Sequence, residues 1–98
     1  EALLAALLAI PSVEDVVVCV PPSDTAASAG QKAELSTVRT WLTTTLSMTG
    51  VTVADTGMAM TTGDGVTADA SKIVDTVHPL PTGQQAMADV LDDVLAAL

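Results

Sequence analysis

A carboxylate and an imidazole stand close together near the end of this 98-residue chain. Asp75 and His78 are three residues apart, in a loop just before a predicted helix. A turn at this spacing can hold the carboxylate against one imidazole nitrogen while the other faces a cleft. This is the base-and-orienter half of a Ser-His-Asp triad, in which the imidazole takes the proton of a nucleophilic serine. A plain structural role is the alternative, with His78 bonded at the helix entry and Asp75 a solvated turn carboxylate.

The wider string around these two residues narrows the choice. Residues 75–83 have the pattern D-x-x-H-P-x-x-x-G and precede an Ala-rich amphipathic segment. This block resembles the last conserved block of the SGNH (GDSL-type) hydrolase family of esterases, lipases and acylhydrolases. The resemblance extends backwards: 15–23 is similar to the family's late central strand, 31–50 to the following helix and 51–57 to the last strand. It implies a flavodoxin-like three-layer α/β/α fold with a parallel sheet, and Asp75 and His78 as catalytic residues of an ester or acyl-ester hydrolase.

The chain also departs from the family pattern. Thr76 stands where the family commonly has Gly, and Leu80 replaces a frequent small or polar residue. The family's nucleophilic Ser in a G-D-S block, its oxyanion Gly and the Asn of a G-x-N-D block have no counterpart here, and the chain begins at Glu1 inside a predicted helix. We therefore expect residues 1–98 to be the C-terminal portion of one domain. The partner is then the missing N-terminal half, in the same precursor or on a second chain.

The resemblance implies hydrolysis without a metal or organic cofactor, acting on a small ester or an acylated carbohydrate or lipid. The rival hypothesis is a non-catalytic SGNH-like module, structural or carbohydrate-binding, of a larger assembly such as a phage tail or cell-surface protein. A third hypothesis, a flavodoxin-like nucleotide-binding fragment, is weaker because no glycine-rich phosphate loop follows either predicted strand. Secretion, a cell surface or a virion is favoured over a membrane-embedded location.

Charge and cysteine content exclude several other classes. The chain has 3 Lys+Arg against 12 Asp+Glu, a formal net charge of −9. Nucleic-acid binders and polybasic membrane-surface modules need the opposite balance. No apolar run approaches the roughly 20 residues that span a bilayer. The single cysteine, Cys19, excludes an internal disulfide framework and a multi-cysteine zinc site.

Hydrophobic periodicity predicts the elements that position the Asp75–His78 pair. A strand-helix-strand unit implies a right-handed parallel crossover, and helices before and after it imply a doubly wound sheet covered on both faces. Two strands cannot make such a sheet alone, so further strands must come from upstream or from a partner. The predicted elements are a helix at 1–10, a strand at 15–20, a helix at 31–48, a strand at 51–54, a long loop at 58–82 and a helix at 84–98.

Four further features of the sequence are most simply explained by structural roles. Asp64 and Asp69 carry calcium-type oxygens, but their spacing misses the EF-hand pattern and favours a solvated loop. Cys19 lies among valines and is predicted to be a buried, inert thiol. Trp41 lies on an apolar helix face and is predicted to be core. Thr82, with a glutamine three residues later, predicts a capping box at the start of the last helix.

Overall fold

The chain folds into helices around a small parallel sheet. The computed structural model describes residues 1–75 and 78–98. Along the chain the elements are α1 (Ala2–Leu8), β1 (Val16–Cys19), α2 (Ala29–Thr40) with a π-helical turn (Trp41–Thr45), β2 (Val51–Ala54), α3 (Thr56–Ala59), β3 (Ile73–Val74), β4 (His78–Pro79) and α4 (Pro81–Ala96). In this part of the chain no helix is long and apolar enough to cross a membrane.

β1 and β2 form a parallel pair joined by α2. Their register runs from Val16 opposite Val51 to Cys19 opposite Ala54. The predicted strand-helix-strand unit is confirmed, and the chain is mixed α/β with a two-stranded parallel sheet. Its β-branched residues suit the pleated surface, and Gly50, at φ 82, provides the left-handed turn into β2.

The buried core lies between β1, β2 and the segment that follows β2. Its apolar members are Val20, Leu42, Ala54, Met60 and Ile73. β1 itself is less buried than the sequence predicts: its valines are half-buried and Cys19 is exposed. The physical reason is that, among the described residues, β1 has a hydrogen-bonded neighbour on one edge only. The interpretation of Cys19 as a buried thiol is therefore wrong.

The segment predicted as one long loop contains ordered structure. α3 begins directly after β2, Thr61 and Ala68 form an isolated antiparallel bridge, and β3 pairs with β4 in a two-residue hairpin. All three basic side chains of the protein bind this segment or its flanks. Arg39 pairs with Asp55, while the Lys32 and Lys72 ammonium groups donate to the Thr67 hydroxyl and the Ala59 carbonyl at 3.3 and 2.8 Å.

Candidate active site

The hairpin of β3 and β4 carries both residues of the predicted catalytic pair. Asp75 follows β3 directly, and His78 begins β4 opposite Val74. Both side chains are exposed. The structure thus places both residues on one β-hairpin just before α4, where the sequence predicts a loop. Thr76, the departure from the family pattern, lies outside the described residues.

Asp75 has an unusual backbone conformation. Its φ is 48°, in the left-handed region, and among the described non-glycine residues no other has a positive φ. Aspartate tolerates this region better than most residues do, although single residues held there cost of order 1–3 kcal/mol. Such strained positions concentrate at functional sites. Within residues 1–75 and 78–98 no hydrogen bond or ion pair joins the Asp75 and His78 side chains, so their catalytic contact stays a prediction.

Three hydrogen bonds fix the hairpin to the start of α4. The Leu80 amide donates to the Lys72 carbonyl at 2.8 Å, and the Thr82 hydroxyl donates to the Ser71 carbonyl at 2.6 Å. The Gln84 side-chain amide donates to the Pro79 carbonyl at 3.3 Å. These bonds join the residues before β3, and Pro79 of β4, to the first turn of α4, so the hairpin is coupled to the helix.

The first turn of α4 differs from the predicted capping box. The N-cap is Leu80, which lacks a side-chain cap, and Pro81 occupies the first turn. Proline suits this position because its missing amide hydrogen would have no intrahelical partner there. Thr82 uses its hydroxyl on the hairpin instead, and Gln85 donates to Asp89 at 2.7 Å. The capping-box prediction is wrong because tertiary contacts to the hairpin take the hydroxyl.

Close packing explains why position 83, the last of the D-x-x-H-P-x-x-x-G string, is glycine. A Cβ at this position would lie 2.1 Å from the Lys72 carbonyl oxygen and 2.8 Å from the Met60 methyl group. No side chain fits, so α4 approaches the hairpin backbone as closely as it does only because this residue is glycine. Residues 75–83 therefore contain both the Asp75–His78 pair and Gly83, whose lack of a side chain lets α4 pack against the hairpin.

An apolar cleft of about 350 Å³ opens at the carboxyl end of β1. In open parallel sheets ligands bind beyond this end of the strands. Its wall includes the Thr56 side chain, whose hydroxyl is already engaged with the Val20 carbonyl at 2.9 Å. α4 forms another wall, so the helix that follows His78 also borders this cleft. The lining residues are Cys19, Val20, Pro21, Pro22, Thr56, Met87, Ala88 and Leu91.

The acidic residues of the segment after β2 have structural roles. Asp64 accepts hydrogen bonds from the Val66 and Thr67 amides at 2.9 and 2.7 Å. Hydrogen bonding, first with the Thr67 side chain and then with these amides, lowers the pKa of Asp64 to about 2. Asp69 accepts from the Ser71 amide and hydroxyl, which lowers the pKa of Asp69. In the described residues no group of three or more His, Cys, Asp or Glu side chains could hold a metal ion. The solvated-loop interpretation fits these bonds.

Asp55 caps α3 and anchors a cation that sequence reasoning missed. One oxygen accepts from the Met58 amide at 3.2 Å, as expected for a turn cap, and the other pairs with the Arg39 guanidinium. The Arg39 Nε atom is buried without a hydrogen-bond partner among the described residues. The sequence contained one indication of this ion pair, since Arg39 lies in the last turn of the helix that leads into β2. A basic side chain at that position can reach the carboxyl end of the strand.

Comparison of the chain with protein-family models, with curated proteins and with solved structures finds no match.

Proposed function

We propose that this chain is the base-bearing C-terminal part of an SGNH-type serine ester hydrolase with a flavodoxin-like α/β/α fold. The observation that supports this best is the hairpin, which combines Asp75 in a strained conformation, exposed His78 and the tight glycine contact at Gly83. The parallel β1–α2–β2 unit is compatible with the last two strands of such a sheet.

The surface of the chain supports a missing partner segment. Its accessible area is 5812 Å², whereas a compact monomer of this mass exposes about 5,200 Å². Its radius of gyration is 14.3 Å, against about 12.6 Å for a compact domain of this length. Large apolar side chains remain exposed, among them Leu3, Leu95 and Leu98.

The proposed reaction has two steps, and His78 moves the proton in both. As a serine oxygen from the missing half attacks the ester carbonyl, His78 takes the hydroxyl proton and then gives it to the departing alkoxide, which leaves an acyl-serine. Next, His78 takes a proton from water as the water oxygen attacks the acyl carbonyl, and returns it to the serine oxygen as the acid leaves. Asp75 orients the imidazole and stabilises its protonated form.

The test is hydrolysis of p-nitrophenyl acetate by the complete protein. His78→Ala is expected to lower kcat by at least about 10³-fold because the serine loses its base. Asp75→Asn is expected to lower kcat less, and it is a clean probe because asparagine also tolerates the left-handed conformation. Asp93→Asn, on the exposed side of α4, is the matched control and should hydrolyse normally.

A serine-directed fluorophosphonate probe separates the proposal from its rival, the non-catalytic module. Under the proposal, one serine outside residues 1–98 is labelled, and His78→Ala prevents the labelling. The rival is favoured because, in the described residues, no hydrogen bond or ion pair joins the Asp75 and His78 side chains. If the complete protein neither hydrolyses the ester nor reacts with the probe, the non-catalytic module replaces the hydrolase.

A further inference from the structure

Trp41, the only aromatic residue of the chain, borders a shallow groove on the outside of α2. It is 38% exposed. The groove has a volume of about 390 Å³, and no charged side chain is among the described residues that line it. An exposed indole beside an uncharged groove is unlike the other exposed apolar residues, which are aliphatic. The lining residues are Ser36, Thr37, Thr40, Trp41 and Thr45.

The groove is built on an irregular stretch of helix. The Leu46 amide donates to the Trp41 carbonyl at 2.8 Å, which closes a π-helical turn. The Thr43 and Thr44 hydroxyls donate hydrogen bonds to the Arg39 and Thr40 carbonyls at 2.8 and 2.6 Å. In a regular α-helix these carbonyls accept from the backbone amides four residues later. π-helical turns are rare and frequently occur at functional sites. This one widens the helix directly beside the indole.

Several polar groups around the groove are free to bind a ligand. Within residues 1–75 and 78–98, the hydroxyls of Ser36, Thr40 and Thr45 and the indole nitrogen make no hydrogen bond, whereas the Thr37 hydroxyl donates to the Ala33 carbonyl. Each free hydroxyl can both donate and accept. The groove thus offers one flat aromatic surface and a set of uncommitted, uncharged hydrogen-bonding groups.

The groove faces away from the sheet. Leu42 is buried, and Arg39 reaches Asp55 at the end of β2, which identifies the side of the helix that faces the sheet. At 3.6 residues per turn, Thr37 lies roughly half a turn round the helix from that side, and Thr40 about a third of a turn. The residues that line the groove are all exposed.

We propose that this groove binds a neutral saccharide, with a pyranose ring stacked on the Trp41 indole. The C–H groups on one face of a pyranose carry partial positive charge and complement the negative face of an aromatic ring. The ring hydroxyls then bond to Ser36, Thr40 and Thr45. An anionic ligand is disfavoured because the groove offers no cation and the chain carries a net charge of −9. This inference does not depend on ester hydrolysis at His78.

Isothermal titration calorimetry of the complete protein against cellohexaose, xylohexaose and chitohexaose tests the site. At least one of the three is expected to bind with a Kd between about 10 μM and 1 mM. Trp41→Ala should weaken that binding by at least about tenfold, as for a central aromatic anchor. Thr45→Val, which keeps the side-chain shape and removes the hydroxyl, should weaken it by about two- to tenfold.

Val38→Ala is the matched control, because Val38 is exposed on the same helix but outside the groove. It should bind the sugar as the wild type does. Trp41→Ala should still hydrolyse p-nitrophenyl acetate at the wild-type rate, so a failed sugar site and a failed hydrolase give different results. The saccharide proposal is overturned if none of the three sugars binds, if Trp41→Ala binds equally well, or if Thr45→Val has no effect.

Discussion

Gly83→Ala should loosen the contact that fixes the β3–β4 hairpin to α4. The new Cβ would lie 2.1 Å from the Lys72 carbonyl oxygen, so the helix start and the hairpin must separate by about 1 Å to reach ordinary contact. That displacement strains or breaks the Leu80-to-Lys72 and Thr82-to-Ser71 hydrogen bonds. Losing them costs about 1 kcal/mol each, and overpacking costs a further 1–3 kcal/mol.

Replacing glycine in a helix returns up to about 1 kcal/mol, which leaves a net loss of about 2–4 kcal/mol in the free energy of unfolding. For a domain of this size that corresponds to a fall in Tm on the order of 10 °C or more. Circular dichroism during thermal and urea unfolding of the protein measures both quantities. Gly30→Ala is the matched control, because its Cβ would meet only the Ser28 hydroxyl at 3.9 Å. If Gly83→Ala is as stable as the control, the tight contact does not exist in solution.

Three further outcomes follow from contacts elsewhere in the chain. The Asp64 carboxyl should titrate by NMR with a pKa of about 2; because this value is lowered in the folded state, its contribution to stability is present above about pH 4 and is lost as the pH falls through 2. An ordinary midpoint near 3.8 would remove the Asp64 hydrogen bonds from the solution structure. Leu91→Ala, at a half-buried site, should cost about 2 kcal/mol, whereas Asp92→Asn should change stability by no more than about 0.5 kcal/mol; equal effects would mean that α4 is rotated. Arg39→Met should destabilise the protein by about 1 kcal/mol at low salt and by less at 1 M salt, and a salt-independent loss would rule out the ion pair with Asp55.

Hydrophobic periodicity predicted α1, β1, α2, β2 and α4, but it missed α3, β3 and β4. β2 was predicted with its observed bounds, because Val-Thr-Val-Ala is flanked by a glycine and by Asp55. α4 begins earlier than predicted because Pro81 is compatible with the first turn. The π-helical turn could not be predicted from the sequence, because a run of threonines does not indicate that two of their hydroxyls will donate to helix carbonyls.

The sequence identified the residues of the candidate site but not their three-dimensional arrangement. The spacing of Asp75 and His78 predicted that they share one loop before a helix, and in the structure Asp75 follows β3 and His78 begins β4. Nothing in the sequence indicated that Asp75 would have a positive φ, that Gly83 would touch the Lys72 carbonyl, or that Trp41 would be exposed. Each of these depends on contacts between segments distant in sequence, which periodicity does not contain.

α4 connects the two features on which the hydrolase proposal depends. Its first turn holds the hairpin of His78, and its middle, with Met87 and Leu91, lines the apolar cleft at the carboxyl end of β1. In the described residues the second edge of β1 has no strand partner. A parallel strand added there would end at the same edge of the sheet as β1, because parallel strands share their carboxyl end. A serine at the end of such a strand would therefore lie beside the cleft. α4 lines this cleft, and His78 lies just before the start of α4.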